Sequence, residues 1–204
     1  MNCLYKKSLP ITREGKAKFM VENVLPAVLA AYFPGIQRTD IADALRCFIP
    51  NAEQTPGRIN EFQINSLTVI VDYAHKPHGL RALSGYLNHI VEKKTGIITV
   101  PGNRRDHDII EFGEISASMF DDIIIRFDRD TRGRSEESIV HLLAQGIQNI
   151  KPDLQHKVIA DTRSAIHFAI DTAEKQSYVV ICADDAIQTI NITQKVAELY
   201  KDQI

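Results

Sequence analysis

Residues 67–79 of this 204-residue chain read LTVIVDYAHKPHG. The apolar run over residues 67–71 predicts a buried strand, and Pro77 predicts the first turn of a helix, where proline is favoured. A polar cluster from Asp72 to Lys76 separates the two elements. Because open α/β sheets bind their ligands at the carboxyl ends of strands, this stretch predicts both the fold class and the position of a functional site.

The sequence after this stretch alternates strand and helix patterns. Apolar runs predict strands over residues 96–100, 122–126, 157–160 and 178–182, and helical spacing predicts helices over 77–92, 106–120, 135–150, 162–174 and 185–200. Short all-apolar strands between helices are typical of a parallel sheet covered on both faces. The predicted fold is therefore α/β, a Rossmann-like and mostly parallel sheet with helices on both faces.

The first 50 residues have a different, helical pattern. Apolar residues at helical spacing predict a helix over residues 19–33, in which Pro26 indicates either a kink or a later start, and a second helix begins near Thr39 or Asp40. Residues 51–60 form a polar, turn-rich connector that contains Pro56-Gly57. We therefore expect a helical segment over 1–50, a linker over 51–60 and the α/β domain over 61–204.

Composition and charge exclude several classes of protein. The formal net charge is −2 and charged residues make up 25% of the chain, so no basic field points to nucleic acid or to an anionic membrane. No apolar run approaches the roughly 20 residues of a membrane span, and the first ten residues carry no secretory signal. Cys3, Cys47 and Cys182 are scattered, which favours reduced thiols in a cytoplasmic protein over a disulfide framework.

Polar loops follow most of the predicted strands. They comprise residues 72–78, 101–106, 127–134 and 183–185. The loops after parallel strands gather at one edge of a sheet, so we expect these residues to face one ligand. Arginines beside aspartates suit a ligand that bears phosphate or is zwitterionic, because guanidinium groups bind phosphate and carboxylate in bidentate fashion.

Each of these loops also has a purely structural interpretation. Asp72 alternatively caps the turn that follows it, Gly102 supplies a positive φ, and Asp184 and Asp185 cap the last helix. Arg132 and Arg134 are alternatively solvated surface charges. His75 and His78 have no third ligand at a fixed spacing, so no metal site is predicted. The sequence also lacks G-x-G-x-x-G, G-x-x-x-x-G-K-[ST] and G-x-S-x-G.

Several short motifs, in order along the chain, resemble those of one enzyme family. They are DYAHKP (72–77), TPGRIN (55–60), GNRRD (102–106), IIRFD (124–128) followed by RGR (132–134), and upstream LPIT (9–12) and FMVEN (19–23). The family motifs that they resemble read D-Y-A-H-N-P, T-P-G-R-x-N, G-D-R-R-D and I-I-R-E-D-x-x-x-R-G-R. These motifs are typical of the carboxy-terminal domain of the Mur ligase superfamily, and the last is typical of its cyanophycin synthetases.

The resemblance implies an ATP-dependent amide ligase, in which ATP phosphorylates a carboxylate and an amine attacks the acyl phosphate. It implies that residues 1–50 are the end of a central ATPase domain, and that ATP and Mg²⁺ are bound mostly by the part of that domain upstream of Met1. It places Asn23 near adenine, and Arg58, Asp72, His75 and Lys76 toward the nucleotide. Asp128, Arg132 and Arg134 would then face the incoming amino acid, which is arginine or a similar one.

Three positions depart from the family motifs. Lys76 replaces asparagine, Asn103 replaces an acidic residue and Phe127 replaces glutamate. With no phosphate loop in the sequence, we expect this polypeptide alone to be inactive in ligation, since phosphoryl transfer needs a phosphate cradle and metal ions. The alternatives are a non-catalytic binding or assembly module of the same fold, and a small Rossmann-like enzyme of unrelated chemistry. We also expect a homo-oligomer, or a partner that covers the apolar faces of residues 1–50.

Overall fold

The computed structural model describes residues 9–128 and 131–201 of the chain. Residues 1–8, 129–130 and 202–204 lie outside the described part, and with them Cys3, Arg129 and Asp130. The strands are β1 (Asn60–Ile64), β2 (Leu67–Asp72), β3 (Lys94–Ile98), β4 (Asp122–Ile125), β5 (His156–Val158) and β6 (Tyr178–Cys182). The helices are α1 (Lys18–Tyr32), α2 (Arg38–Cys47), α3 (Pro77–Leu87), α4 (Asp106–Met119), α5 (Glu136–Ile150), α6 (Thr162–Thr172) and α7 (Ala186–Lys201).

The strands form one mixed sheet in the order β1-β2-β6-β3-β4-β5. Every neighbouring pair from β2 to β5 is parallel, so the prediction of a mostly parallel α/β sheet is confirmed. Strand β1 is antiparallel to β2 and was not predicted. Its sequence NEFQI is half polar because it lies at the sheet edge and buries only part of its side chains.

The sheet separates two apolar cores, as the all-apolar strands predict. Alternate strand residues such as Ile70, Ile98 and Val180 pack against α1, α3, α4 and α5. Their neighbours Val69 and Ile97 pack against α6 and α7 on the other face. Because side chains alternate between the faces of a strand, burial on both sides requires apolar residues at consecutive positions.

Most predicted helices and strands differ from the observed ones by a few residues at their ends. The helix predicted over 77–92 is the main exception, because it ends at Leu87, with Asn88 as its C-cap. Val91, which falls within the predicted helix, has 92% of its surface exposed. Pro26 lies within α1, so the helix does not begin there.

Residues 9–24 pack onto the α/β sheet and its helices. Ala17 and Met20 belong to the core that contains α3, and Arg13 Nη2 donates to the Ile59 carbonyl at 2.7 Å. Arg13 also lies 3.8 Å from Glu61, whose carboxylate accepts a hydrogen bond from Tyr86. The N-terminal segment is therefore attached to the sheet by both apolar and polar contacts.

The rest of the N-terminal helical segment presents apolar side chains to solvent. Large apolar residues that are exposed include Leu25, Leu29, Tyr32, Phe33, Ile36 and Ile49. No residue of α2 is buried. We call this surface, from Leu25 to Ile49, the hairpin face.

Two further observations bear on expectations from composition. Among the described residues, Cys47 and Cys182 are free thiols. No helix of residues 9–128 or 131–201 has the length and apolar character that crossing a membrane requires.

Candidate functional site

The carboxyl ends of the parallel strands bring the predicted polar loops to one edge of the sheet. Asp72 is the last residue of β2 and pairs in register with Cys182, the last residue of β6. Strands β3 and β4 follow as the next two in the sheet, and their loops begin at the same edge. We call residues 99–105 the β3 loop, and residues 127–128 and 131–135 the β4 loop.

A tight turn over residues 55–60 holds Asp72 from one side. Ile59 N donates to Asp72 Oδ2 at 3.0 Å, and Tyr73 N donates to the Gly57 carbonyl at 2.9 Å. The buried Asn60 closes the turn, because its amide accepts from Gly57 N at 2.6 Å and donates to the Thr55 carbonyl at 3.0 Å. The stretch predicted as a linker thus folds against the end of β2 and presents Arg58 beside Asp72.

Ile59 adopts a backbone conformation that a β-branched residue rarely takes. Its φ is 48°, and its side chain is 1% exposed. Such a residue is strained by roughly 1–3 kcal/mol and persists only where its surroundings impose it. Here its N–H is taken by Asp72 and its carbonyl by Arg13, so contacts on both sides fix the strained residue.

Asp72 is a buried carboxyl group with a perturbed protonation equilibrium. Burial raises the pKa of Asp72 to about 6, although the hydrogen bond from Ile59 N and the charge of Arg58 oppose that rise. Only 4% of the residue is exposed. A group that is both strongly shifted and placed at a strand end is a candidate for ligand binding.

His75 marks the point where three loops meet. Its Nδ1 lies 3.1 Å from the Tyr73 carbonyl, and its ring packs on Tyr73 with 4.2 Å between centroids. Burial lowers the pKa of His75, and the charges of Lys76, Arg104 and Arg132 lower it further. Since Arg104 belongs to the β3 loop and Arg132 to the β4 loop, the predicted convergence of these loops is observed. Lys76 is the exposed N-cap residue of α3.

Arg134 fastens the β3 loop to the β4 loop. Its Nε donates to the Gly102 carbonyl at 2.9 Å, and its Nη2 donates to the Arg104 carbonyl at 3.1 Å and lies 2.7 Å from Asp106. Arg134 is therefore held by neighbouring backbone and is not a solvated surface charge. Much of its hydrogen-bonding capacity is used inside the protein.

Gly102 is required by the close approach of the two loops. The alternative interpretation, that it supplies a positive φ, is wrong, since the described glycines with positive φ are Gly15, Gly35, Gly57 and Gly133. A Cβ at Gly102 would instead lie 2.0 Å from the Thr131 carbonyl oxygen. Any side chain at this position would push the β3 and β4 loops apart.

An acidic cleft lies beyond the β4 loop. It has a volume of about 300 Å³ and is lined by Phe127, Asp128, Glu136, Ala160, Asp161, Thr162 and Ile192. Asp161 is the N-cap residue of α6 and accepts from Ser164 N at 2.8 Å. Arg132 stands at the other side of the β4 loop, where its Nη1 donates to Asn103 Oδ1 at 3.3 Å. The β4 loop thus separates a cationic region around His75 from an acidic cleft.

Arg126 and Asp184 form an ion pair beneath the loops. The Arg126 side chain is 1% exposed, and its Nη2 donates to Asp184 Oδ1. Burial by itself raises the pKa of Asp184, but the Arg126 charge and backbone N–H groups outweigh it and hold that pKa below its usual value. The expectation that both aspartates cap the last helix is corrected. Asp185 caps α7 through Gln188 N at 3.0 Å, whereas the carboxylate of Asp184 is engaged by Arg126.

Asn23 lies on α1, and one group of potential metal-ligand residues lies at the start of α4, directly after the β3 loop. Asn23 is on an exposed side of α1, and its amide donates to Met20 Sδ at 3.7 Å. His107, Asp108 and Glu111 on α4 have ligand atoms within 4.8 Å of one another. Both carboxylates of that group are already taken by arginines, Asp108 by Arg105 and Glu111 by Arg81. We therefore propose no metal site at this group.

Sequence reasoning missed several residues of the site. They are Arg13, Ile59, Asn60 and Arg126, whereas Arg104 and Asp184 lie in the polar loops predicted over residues 101–106 and 183–185. Asn60 had a signal, because an asparagine at the end of the turn-rich stretch TPGRIN indicates a turn closed by its side chain. Arg126 had one too, since a charged residue that continues the apolar run III must find a buried partner. The identity of that partner, 58 residues away, had no signal in the sequence.

Comparisons of the sequence with a family model and with curated proteins agree with each other. The family model described as "Mur ligase, glutamate ligase domain" matches residues 57–184. The cyanophycin synthetase of Synechocystis sp. is 38% identical over 184 residues, which are 90% of this chain and 21% of that protein. The chain thus spans about a fifth of the length of such curated relatives.

Solved structures share the fold. The UDP-N-acetylmuramate-alanine ligase of Thermotoga maritima superposes with a TM-score of 0.64 at 14% identity, over 90% of this chain and 38% of that one. The folylpolyglutamate synthase of Mycobacterium tuberculosis, complexed with ADP and AMPPCP, has a TM-score of 0.57 at 19% identity, over 82% and 37% of the two chains. At these identities the likeness concerns the fold alone.

Proposed function

This chain belongs to the Mur ligase family, and from that premise we propose that it is the carboxy-terminal portion of an ATP-dependent amide ligase of the cyanophycin synthetase type. The observation that carries the proposal is the assembly of the family motifs at one sheet edge. Arg58 and Asp72 lie together, and His75 with Lys76 adjoins Arg104 and Arg132. In this proposal residues 1–50 are the end of the central domain, residues 51–60 the linker and residues 61–204 the carboxy-terminal domain.

One side of the site is proposed to face the nucleotide. Arg58, His75 and Lys76 present positive or titratable groups around the buried Asp72, which suits ribose hydroxyls and phosphate oxygens. Asn23, on α1, is proposed to lie near adenine. The solved folylpolyglutamate synthase with ADP and AMPPCP is a protein of similar fold that holds adenine nucleotides.

The other side is proposed to face the incoming amino acid. The acidic cleft next to Asp128 offers carboxylates to a cationic side chain, such as that of arginine. Arg132, on the opposite side of the β4 loop, is placed to meet the carboxylate of the same amino acid. Arg134 contributes indirectly in this arrangement, since its guanidinium holds the β3 loop in place.

The residues present fit part of the ATP–Mg²⁺ complex that the family uses. Arg104 Nε is buried without a hydrogen-bond partner among the described residues, and Lys76 adds a positive charge nearby. These groups fit phosphate oxygens. They do not fit Mg²⁺, because a cationic surround repels it and Asp72 Oδ2 is already bound by Ile59 N. We therefore assign Mg²⁺ to the central domain.

Titration calorimetry tests the proposed binding functions. The chain is expected to bind arginine and, more weakly, ATP, with arginine affinity falling about tenfold or more in Asp128→Asn because a carboxylate facing the cationic side chain is lost. Exposed Asp153→Asn is the matched control and is expected to bind as the wild type does. If the wild type bound neither arginine nor ATP, the proposal would be excluded, and the fold would be left without its ligase role.

Catalysis by this polypeptide alone is not expected. The sequence has no G-x-x-x-x-G-K-[ST] motif, and phosphoryl transfer needs a phosphate cradle with metal ions. An ATP-turnover assay with arginine and an aspartate-rich acceptor is therefore expected to give the same rate for the wild type and for Arg58→Ala/Asp72→Ala. A wild-type rate above that of the double variant would show that these residues catalyse without the motif.

A second candidate function is a non-catalytic binding or assembly module of the same fold. The substitutions at Lys76, Asn103 and Phe127 relative to the family motifs favour it. The structure gives two of them new contacts, since Asn103 accepts from Arg132 and Phe127 lines the acidic cleft. Binding of arginine without any binding of ATP in the calorimetric experiment would support this candidate over the ligase portion.

The hairpin face is proposed to be covered in the working protein. Its side chains include Phe33 and Ile49, which are 80% and 68% exposed, and large apolar patches of this kind mark interfaces. We expect the isolated chain to form a homodimer or another oligomer through this face, unless a partner covers it. Light scattering on the wild type and on Phe33→Asp/Ile49→Asp tests this, with dissociation expected only in the variant. A monomeric wild type would count against self-association.

A further inference from the structure

Arg126 is a buried cation that the proposed ligand contacts leave without a role. It follows β4 directly and is the largest of the fully buried side chains. An unpaired charge at such a position would be very unfavourable, so a partner is obligatory. Asp184, which follows β6, is that partner.

The ion pair connects two strands that do not touch each other. Strand β3 lies between β6 and β4, and it pairs with both of them. Neighbouring strands lie about 4.8 Å apart, so the Arg126 side chain reaches over the end of β3 to a chain segment roughly 10 Å away. No backbone ladder joins β4 to β6, and the pair provides that connection at the edge where the site lies.

Each end of the ion pair continues into one side of the site. At the β4 end, Arg126 Nη1 donates to the Phe127 carbonyl at 3.1 Å, which fixes the first peptide of the β4 loop. At the β6 end, Ala183 N, next to Asp184, donates to the Asp72 carbonyl at 2.8 Å. A continuous set of contacts therefore runs from Asp72 to Phe127.

Arg126 does not use all of its hydrogen-bond donors, which is unexpected for a buried residue that serves only stability. Its Nε is buried and has no partner among the described residues, and the same is true of Thr99 Oγ1 at the end of β3. Buried ion pairs are often matched or exceeded in stability by apolar residues of similar volume. Stability alone thus does not account for a buried, incompletely bonded arginine at this edge.

We propose that Arg126, held by Asp184, is a positioning residue that sets the β4 loop relative to Asp72 and so aligns the acidic cleft with the nucleotide side. The inference rests on the proposed function, in which Phe127 and Asp128 line the cleft that takes a cationic amino acid. Arg126 touches neither ligand in this arrangement, because its Nη1 and Nη2 donate to the Phe127 carbonyl and to Asp184, and its Nε is buried. Its effect on binding passes through the position of the β4 loop.

The test replaces the ion pair by an apolar pair of similar size, Arg126→Met/Asp184→Leu, in the full 204-residue chain. Thermal stability is expected to stay close to that of the wild type, while amide hydrogen exchange at Phe127, Asp128 and residues 131–134 accelerates about tenfold or more. Arginine affinity is expected to fall about tenfold, with ATP affinity unchanged, because only the β4 loop has lost its tether. If the ion pair served stability alone, the double variant would show wild-type amide hydrogen exchange in the β4 loop. Its ratio of arginine affinity to ATP affinity would also match that of the wild type.

Arg126→Lys supplies a second readout if the double variant does not fold. Its ammonium group keeps the charge pair with Asp184 but cannot also reach the Phe127 carbonyl as the guanidinium fork does. Exchange in the β4 loop is expected to rise, while exchange in β2 and β6 stays protected. Arg81→Met, which breaks the exposed pair with Glu111, is the control and is expected to leave the β4 loop unchanged.

Two outcomes separate this inference from the proposed function. Unchanged β4-loop exchange in both Arg126 variants would overturn the positioning role, whatever the wild type binds. If the wild type binds neither arginine nor ATP, the proposed function fails. Accelerated exchange confined to the β4 loop would then still support Arg126 as the residue that holds it.

Discussion

Replacing Asp72 by asparagine is expected to stabilise the protein near pH 8 while weakening nucleotide binding. The carboxyl group is buried, and its pKa is raised to about 6, chiefly by burial. A raised folded-state pKa means that the charged form is disfavoured in the folded protein. A shift of about 2 units corresponds to roughly 3 kcal/mol, so Asp72→Asn is expected to raise the free energy of unfolding by up to about that amount.

The sign of this effect fixes its pH dependence. Below the unfolded-state pKa of about 4, Asp72 is neutral in both states, and the wild type and Asp72→Asn are expected to be equally stable. As pH rises through about 6, the wild type loses the contribution of the protonated carboxyl, whereas asparagine cannot ionise. The stability difference between the two proteins should therefore grow from near zero at about pH 4 to its full value near pH 8.

Urea unfolding of both proteins across this pH range measures the difference. Exposed Asp153→Asn is the control, for which a small difference that does not change with pH is expected. ATP binding at about pH 8 is measured on the same samples and is expected to weaken about tenfold or more in Asp72→Asn. A stabilised variant that still binds ATP as the wild type does would show that the buried carboxylate of Asp72 is not there to bind the nucleotide.

The strand-end position of Asp72 was predictable because it depends on local pattern. An apolar run, an aspartate and a proline within 13 residues specify strand, loop and helix without knowledge of the rest of the fold. The turn that shields Asp72 was not predictable in the same way. Its key contacts, Ile59 N to Asp72 and Arg13 to the Ile59 carbonyl, join residues 13 and 46 positions apart. Local propensity carries no information about such pairs.

The same distinction explains the missed strand and the different contacts of Arg132 and Arg134. Strand β1 is half polar because it is an edge strand, and position in a sheet is set by tertiary pairing. Arg132 and Arg134 look alike in sequence, yet Arg134 donates to the carbonyls of Gly102 and Arg104, whereas Arg132 donates to the side chain of Asn103. Which groups each guanidinium contacts depends on the approach of two loops that are 30 residues apart.

Gly146→Ala is expected to destabilise the protein by about 3 kcal/mol, although alanine favours helices by roughly 1 kcal/mol over glycine. Gly146 on α5 packs against α4, where a Cβ would lie 2.0 Å from the Ile110 carbonyl oxygen. Gly113 on α4 has the reciprocal constraint, 2.3 Å from the Leu143 carbonyl oxygen. Both obstacles are backbone atoms, so the helices themselves must separate.

Gly85→Ala is the matched control, because Gly85 also lies inside a helix but has no atom within 4 Å of the added Cβ. It is expected to stabilise by up to about 1 kcal/mol, opposite in sign to Gly146→Ala. Separation of α4 from α5 would also move the loops that precede them, since Asp106 and Glu136 begin these helices immediately after the β3 and β4 loops. Urea unfolding and arginine calorimetry on both variants therefore test one geometric claim. If Gly146→Ala were as stable as Gly85→Ala, α4 and α5 would not be in contact at their glycines. Close packing of these two helices would then not be what holds the β3 and β4 loops in place.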